Sequence, residues 1–251
     1  MSTSTSSPLF SRKFVRKARY AELLAREHGY FDFEFLKEVP DEYRNSCFGL
    51  LSASKAQLRQ DLFALIQSDF KREGFFVEFG ATDGVELNNS HLLEKQFGWS
   101  GILAEPARGW HSDLNRNRNC IIDKRCVWSV TGENLRFTEA PRGENSAISS
   151  FTKTRRKLRG QNYDVETISL NDLLDSHNAP AHIDYMSVDT EGSELDILSA
   201  VDFARWSFGC LTVEHNFAPQ RDGIHALLTA NGYTRVWEKV SRFDDWYIKT
   251  P

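Results

Sequence analysis

What the chain lacks narrows its class before any motif is read. Its 251 residues contain no uninterrupted apolar stretch near the ~20 needed to span a bilayer, and the Ser/Thr-rich start from Met1 to Pro8 has no apolar signal-peptide core. A cytoplasmic protein without a transmembrane segment is the expectation. Cysteine is scarce. Cys47, Cys120, Cys126 and Cys210 form no CxxC pair, and the closest two are separated by five residues, which points to reduced thiols rather than a zinc knuckle or redox pair. There is no excess of positive charge either: 31 Lys and Arg stand against 35 Asp and Glu, a formal net charge of -4. The positive field with which nucleic-acid binders collect phosphates is missing, so nucleic acid is not an expected partner. Internal repeats are absent, as are low-complexity tracts beyond the N-terminus.

What is present suffices for one substantial core. Hydrophobic residues make up 40% of the chain, at a length suited to a single-sheet α/β domain with a small N-terminal appendage. Residues 1–10 offer little apolar surface to offset the entropy of ordering and are expected to be a disordered tail. Over residues 11–28, Phe14, Ala18, Ala21, Leu24 and Ala25 recur at helical spacing among Arg12, Lys13, Arg16, Lys17 and Arg19, with Gly29 at the expected end. This basic helix reads either as a packing helix with a solvated side or as one drawn peripherally to an anionic membrane or to an anionic acceptor. The helical segment is placed at 11–53 and the main domain at 54–251. A second helix is predicted over 54–71, where Leu58, Leu62, Leu65, Ile66 and Phe70 line one side after a Ser54 cap.

Residues 74–80, Gly-Phe-Phe-Val-Glu-Phe-Gly, have the short apolar character of a central parallel strand buried on both faces. Further β-like runs follow at 101–105, 120–122, 184–189 and 209–214, with helical stretches at 87–97, 110–116 and 193–201. That alternation predicts an α/β fold with a doubly wound parallel sheet. Two departures are visible. Residues 125–139 read as a hairpin turning at 131–134, and residues 233–249 read as two antiparallel strands separated by Ser241 and Arg242.

The first strand runs into Glu78-Phe79-Gly80-Ala81-Thr82-Asp83-Gly84, a turn of small residues that lets a ligand approach the backbone. A nicotinamide site prefers G-x-G-x-x-G, whose amides receive a pyrophosphate. This loop is instead G-x-x-x-G and carries Asp83, which repels a diphosphate and suits a cationic ligand. The second strand ends Ala104-Glu105-Pro106, with a carboxylate 25 residues beyond Gly80, near the place where Rossmann-like proteins grip ribose hydroxyls. Glu105 is the candidate ribose ligand.

The ordered set FFVEFGATDG, GWSGILAEP, IDYMSVDTEGSELDIL and VEHN, spread over residues 57–248, closely resembles the FkbM-type S-adenosylmethionine-dependent methyltransferases. The resemblance implies a Rossmann-like, mostly parallel sheet with an antiparallel C-terminal strand pair and a helical N-terminal segment. It also implies S-adenosylmethionine as cofactor, held by Glu78, Gly80, Ala81, Asp83, Gly84, Glu105 and Pro106, with Cys126, Val127 and Trp128 near the adenine edge. Two positions depart from the commonest family pattern: Glu78 replaces an aspartate, and Asn88-Asn89-Ser90 stands where Ser-Asn-Thr is frequent.

At the reacting end, one strand closes with Asp189-Thr190-Glu191 and another with Glu214-His215-Asn216. In the strand order that the resemblance implies these are neighbours, so Asp189, Glu191, Glu214 and His215 are candidates to share a pocket beyond the strand ends. His215, with an ordinary pKa near 6.5, is the expected general base for a hydroxyl, oriented by Asp189 or Glu214. Alternatively Asp189, Glu214 and His215 hold a divalent cation such as Mg. Plainer roles stand beside these. Asp189 and Glu191 can cap the following helix, His215 can bond a loop, and Trp110, Trp128, Trp206, Trp237 and Trp246 can be packing residues, although Trp246 can also flank a sugar. Lys153, Arg155, Arg156, Lys157 and Arg159 form a solvated face or receive the phosphates of a nucleotide- or lipid-linked sugar.

The resulting expectation is O-methylation of a carbohydrate hydroxyl. Methylation of a non-sugar natural product, a nicotinamide-dependent oxidoreductase and a nucleotide-binding protein without catalysis are the competing classes.

Overall fold

The computed structural model describes residues 17–140, 146–149 and 160–250. The tail at 1–10, the start of the basic helix and the basic run at 153–159 lie outside them.

The chain enters through α1 (Lys17–Glu38), α2 (Asp41–Leu50) and α3 (Gln60–Gln67). Gly29 does not end α1, contrary to expectation. Phe31 and Phe35, four residues apart on one helix face, are buried, and Phe35 meets Trp237 and Trp246 edge-on at 5.7 and 6.5 Å. Burying those rings outweighs the ~1 kcal/mol by which a glycine disfavours a helix interior. α3 is shorter than predicted because Arg59 takes φ 65°, which interrupts any helix begun earlier. Ser54 is not its cap; the Ser54 hydroxyl donates to Asp61 Oδ1 at 2.7 Å.

The remaining elements are β1 (Phe75–Phe79), α4 (His91–Phe97), β2 (Ser100–Ala104), a 3-10 turn (Arg108–Trp110), α5 (His111–Asn117), β3 (Ile121–Asp123), β4 (Cys126–Trp128), β5 (Asn134–Glu139), β6 (Ala147–Ile148) and β7 (Gln161–Ser169). Then follow α6 (Leu170–Ser176), β8 (His182–Val188), α7 (Glu194–Ser199), β9 (Ser207–Glu214), α8 (Gln220–Ala230), β10 (Tyr233–Val236), α9 (Glu238–Ser241) and β11 (Asp244–Lys249).

Seven strands form the main sheet in the order β10-β11-β9-β8-β1-β2-β3. β1 is central and parallel to both neighbours, with Val77 opposite Ile102 and Met186. β11 alone runs antiparallel, to β9 and to β10. This is the doubly wound, mostly parallel sheet expected, with its antiparallel C-terminal pair; the connection between β10 and β11 is longer than Ser241 and Arg242, since it contains α9. Alternate residues of β1 feed opposite faces. Val77 and Phe79 join one apolar cluster, while Phe76 joins a second that also holds Phe31, Phe35, Cys47 and Phe63. The N-terminal helices thus share a core with the sheet.

The predicted hairpin at 125–139 does not form. β4 and β5 lie in a second, four-stranded sheet of order β4-β7-β5-β6, with β7 between them. Gly132 N donates to Thr167 O and Thr167 N to Glu133 O, so β7 supplies the bonds that a hairpin would have made locally. Among the described residues, no helix is long and apolar enough to cross a membrane.

Candidate active site

Parallel strands all end at one edge of a sheet, and a crevice opens there. A cavity of ≈ 320 Å³ occupies it, lined by Gly80 after β1, Glu105 and Pro106 after β2, Asp189 and Glu191 after β8, and Glu214 and Asn216 at the end of β9. Cys126 and Val127 of β4, Phe137 of β5 and Ile148 of β6 close one side. Because β11 is antiparallel, its first residue arrives at the same edge. Asp244 stands opposite Glu214 in the ladder and joins the wall.

The glycines of the first loop are required. Gly80 has φ 75°, and a Cβ there would lie 2.3 Å from Asp189 O. Gly84 has φ 80°, and a Cβ would lie 2.6 Å from Arg118 Cγ. Both conditions exclude any other residue. Behind the loop lies a buried network. Glu78 is not on the cavity wall: its Oε1 accepts from Asn89 N at 2.8 Å and its Oε2 from the Ser90 hydroxyl. The fully buried Arg118 side chain donates to Asn88 Oδ1 at 2.7 Å, Gly84 O at 3.2 Å, Ser90 Oγ at 3.0 Å and Glu94 Oε2 at 2.8 Å. Burial raises the Glu78 carboxyl above its ordinary range against the pull of Arg118. These bonds also delay α4, which begins at His91 rather than at residue 87.

Asp83 turns away from the role of meeting a cation. Its Oδ1 accepts from Val85 N at 2.8 Å and Glu86 N at 2.9 Å, closing its own turn off the cavity wall. Ala81 is likewise internal, its carbonyl accepting from Asn88 Nδ2. Of the residues named from sequence for the cofactor, Gly80, Glu105, Pro106 and Val127 line the cavity. Glu78, Ala81, Asp83 and Gly84 shape the loop, and Trp128 packs with the second sheet's apolar cluster.

Glu105 is 4% exposed, and its carboxylate is held between two amides: Thr82 N donates to Oε2 at 2.9 Å and Ala107 N to Oε1 at 2.8 Å. Burial pushes its pKa to about 7, with Glu139 and Glu78 adding to the rise and the two amides opposing it. The lone pairs that the amides leave over can accept from two hydroxyls. Asn89, part of the Asn88-Asn89-Ser90 departure from the family pattern, offers a second polar handle on the wall. Its Nδ2 donates to Ser187 Oγ at 2.9 Å, while its buried Oδ1 has no partner among the described residues. A buried acceptor left open suits a donor such as an ammonium group. An adenosine with a diol, an apolar base edge and a cationic tail therefore fits the groups present.

At the other end the carboxylates crowd. Asp189, Glu191, Glu214 and Asp244 all line the cavity. Burial, then Glu191, Glu194 and Asp244, push Glu214 to about 8. Burial, then Glu214, Glu191 and Asp244, hold Asp189 well above the usual range. Burial takes Asp244 to about 7. The cap position of α7 falls to Ser193 rather than to Asp189 or Glu191, and Ser193 makes no side-chain cap bond. The turn before α7 is held by Glu194, whose Oε1 accepts from Thr190 N at 3.1 Å and Gly192 N at 2.9 Å.

His215 is not brought to the cavity. Its buried ring accepts at Nδ1 from Phe217 N at 2.9 Å, and Nε2 lies 3.7 Å from Asp245 Oδ1, a carboxylate gripped by Arg221 through two bonds of 2.8 Å. Desolvation lowers its pKa. The expected base is thus a loop-bonding histidine, and the expected Asp189, Glu214 and His215 cation site is not assembled. Among the described residues, no three His, Cys, Asp or Glu side chains are gathered as for a metal. Trp246 is fully buried, its ring packed at a tilt of 34° against Phe63 with centroids 4.8 Å apart, and cannot flank a sugar.

A Rossmann-like sheet with a glycine turn and an oriented acid on successive strands defines a nucleoside-binding α/β protein. Within that class the methyltransferase FkbM domain matches residues 78–239, more than half of the chain, and the chain belongs to that family. It is an S-adenosylmethionine-dependent methyltransferase. No curated protein matches the sequence. Among solved structures it is similar to a precorrin-6y C5,15-methyltransferase from Geobacter metallireducens, at 14% identity over 70% of this chain and 71% of that one, with a TM-score of 0.40. A ribosomal protein L11 methylase from Lactobacillus delbrueckii subsp. bulgaricus is similar at 9% identity over 76% and 77%, TM-score 0.39. A fibrillarin/Nop5p complex shows 12% identity over 79% and 84%, TM-score 0.39.

Proposed function

We propose that the protein methylates a hydroxyl of a carbohydrate. One observation carries the oxygen chemistry: Asp189 and Glu214 follow neighbouring strands onto one cavity, and burial with repulsion from neighbouring carboxylates raises both carboxyls, Glu214 to about 8 and Asp189 well above its ordinary value. A carboxylate with a pKa near the working pH is a far better base for an alcohol than an ordinary one. Glu105 would hold the ribose diol, Val127 and Cys126 the adenine edge, and Asn89 Oδ1 the ammonium group. When bound, S-adenosylmethionine supplies an electrophilic methyl carbon on a sulfonium. The chain's own contribution is alignment and proton removal: the new O–CH3 bond forms as the carbon–sulfur bond breaks, and the hydroxyl proton passes to the Asp189 and Glu214 pair. The carbohydrate acceptor is what the family resemblance implies, and the carboxylates at the reacting end suit its hydroxyls.

Calorimetric titration with S-adenosylhomocysteine and with NAD tests the cofactor, and a labelled methyl donor incubated with candidate glycans tests the reaction. Binding of the first nucleoside only, with label carried to glycan oxygen, is expected. Binding of NAD alone would overturn the reading.

A further inference from the structure

The family match stops at residues 78 and 239, but the cavity wall does not. Gln57 and Gln60 reach it from the chain before the matched region, and Phe243 and Asp244 from the chain after it. The two flanks are tied together. Gln60 Nε2 donates to Asp244 Oδ2 at 2.8 Å, and Leu58 N donates to Gln60 Oε1 at 2.8 Å, so the amide is fixed at both ends. Gln60 and Asp244 are only 3% and 5% exposed, whereas Gln57 is exposed at the rim and Phe243 half-buried. From the loop after β1, Leu87 lines the same cavity with 47% of its surface open, in the left-handed region at φ 58°.

Strand order separates the Phe243 and Asp244 part of this wall from the nucleoside end. β2, which carries Glu105, and β11, which begins at Asp244, are four steps apart in the sheet, about 19 Å at ~4.8 Å per strand. The carboxylates proposed for proton removal lie between them. We propose that Gln57, Phe243, Asp244 and Leu87 form the acceptor subsite and that it takes a pyranose ring, an assignment that rests on the carbohydrate methyltransferase reading. Such a ring presents an apolar C–H face beside hydroxyl edges. Phe243 and Leu87 meet the face, while the Gln57 amide and the Asp244 carboxylate meet the hydroxyls. Recognition is thereby placed in segments outside the shared methyltransferase unit.

Saturation-transfer NMR on the full chain with S-adenosylhomocysteine present, using a pool of the methyl glycosides of glucose, galactose, mannose and rhamnose, tests the assignment. The parent is expected to pass saturation to the ring protons of at least one glycoside. Gln57→Ala and Phe243→Leu, which keeps apolar volume but removes the ring face, are each expected to weaken that glycoside about threefold or more. S-adenosylhomocysteine affinity should stay at the parent value in both variants. No transfer to any of the four glycosides, or parent-like transfer in both variants, would overturn the subsite while leaving the methyltransferase reading intact. A parent that fails to bind S-adenosylhomocysteine would bring down that reading, and this inference with it.

Discussion

Glu105 and Glu214 close strands of one sheet on one cavity, and both carboxyls are lifted by burial, to about 7 and about 8. Their neighbours differ. Glu105 is clasped by two backbone amides, which fix its plane and oppose the rise in its pKa. Glu214 faces Glu191, Glu194 and Asp244, each of which adds to its rise, and has the Asn216 side chain, not a pair of backbone amides, to oppose it. An amide-clasped carboxylate is built to accept hydrogen bonds from a neutral diol. A carboxylate among other acids is built to take a proton, or to stand beside a cation. The same residue type at the same structural position therefore serves opposite ends of a reaction, and what surrounds it decides which.

The most severe break of that contrast is Asp189→Asn at the crowded end. It is expected to lower kcat by about 10²–10⁴, the usual worth of a positioned base. Affinity for S-adenosylhomocysteine should hold near the parent value by calorimetry, and a matching loss of affinity would move Asp189 to the cofactor. Glu105→Gln strikes the other end. Losing a charged acceptor is expected to weaken S-adenosylhomocysteine by about 10–100-fold, corresponding to ~1.5–3 kcal/mol, with kcat at saturation much less affected. Unchanged affinity would remove Glu105 from the ribose.

Titration sharpens the same contrast. The folded chain holds the protons of Glu105, Glu214 and Asp244 up to about 7 or 8, whereas the unfolded chain releases them near 4. Their contribution to stability is therefore full below that unfolded value and is lost as pH rises through about 7 to 8. The Tm of the ligand-free protein should fall across that window, by about 2–4 °C per kcal/mol lost. Glu214→Gln should flatten the slope. Turnover should run the other way, rising with pH until the acid pair is ionised, as followed in a pH–rate profile. The smallest effect is expected from His215→Ala: turnover should stay within about tenfold of the parent, far above Asp189→Asn, since a group that only bonds a loop acts indirectly. A loss as large as that of Asp189→Asn would restore His215 as the base.

Much of this was legible from local pattern. The apolar run ending at Gly80 and the acid at 105 announced the nucleoside end, because strand, turn and strand-terminal acid are set by neighbours in sequence. The acids ending β8 and β9 were legible for the same reason. Roles that depend on which way a side chain turns were not. Glu78 and Asp83 carry the right chemistry in the right loop, yet Asn89, Ser90, Val85 and Glu86 claim their oxygens. The β4 and β5 segments looked like a hairpin because nothing local reports that β7 will slide between them.

By itself, then, the sequence determined the alternation of the five parallel strands β1, β2, β3, β8 and β9 with helices α4, α5 and α7, the glycines at 80 and 84, and the family, all of which follow from short-range pattern and steric necessity. Only the tertiary structure decided that Asp244 joins Glu214, that Gln60 ties the two flanks over the cavity, and that His215 turns to Asp245. Those pairings come from residues far apart in the chain. Their energies depend on burial and on the direction of an antiparallel strand, neither of which a local window contains.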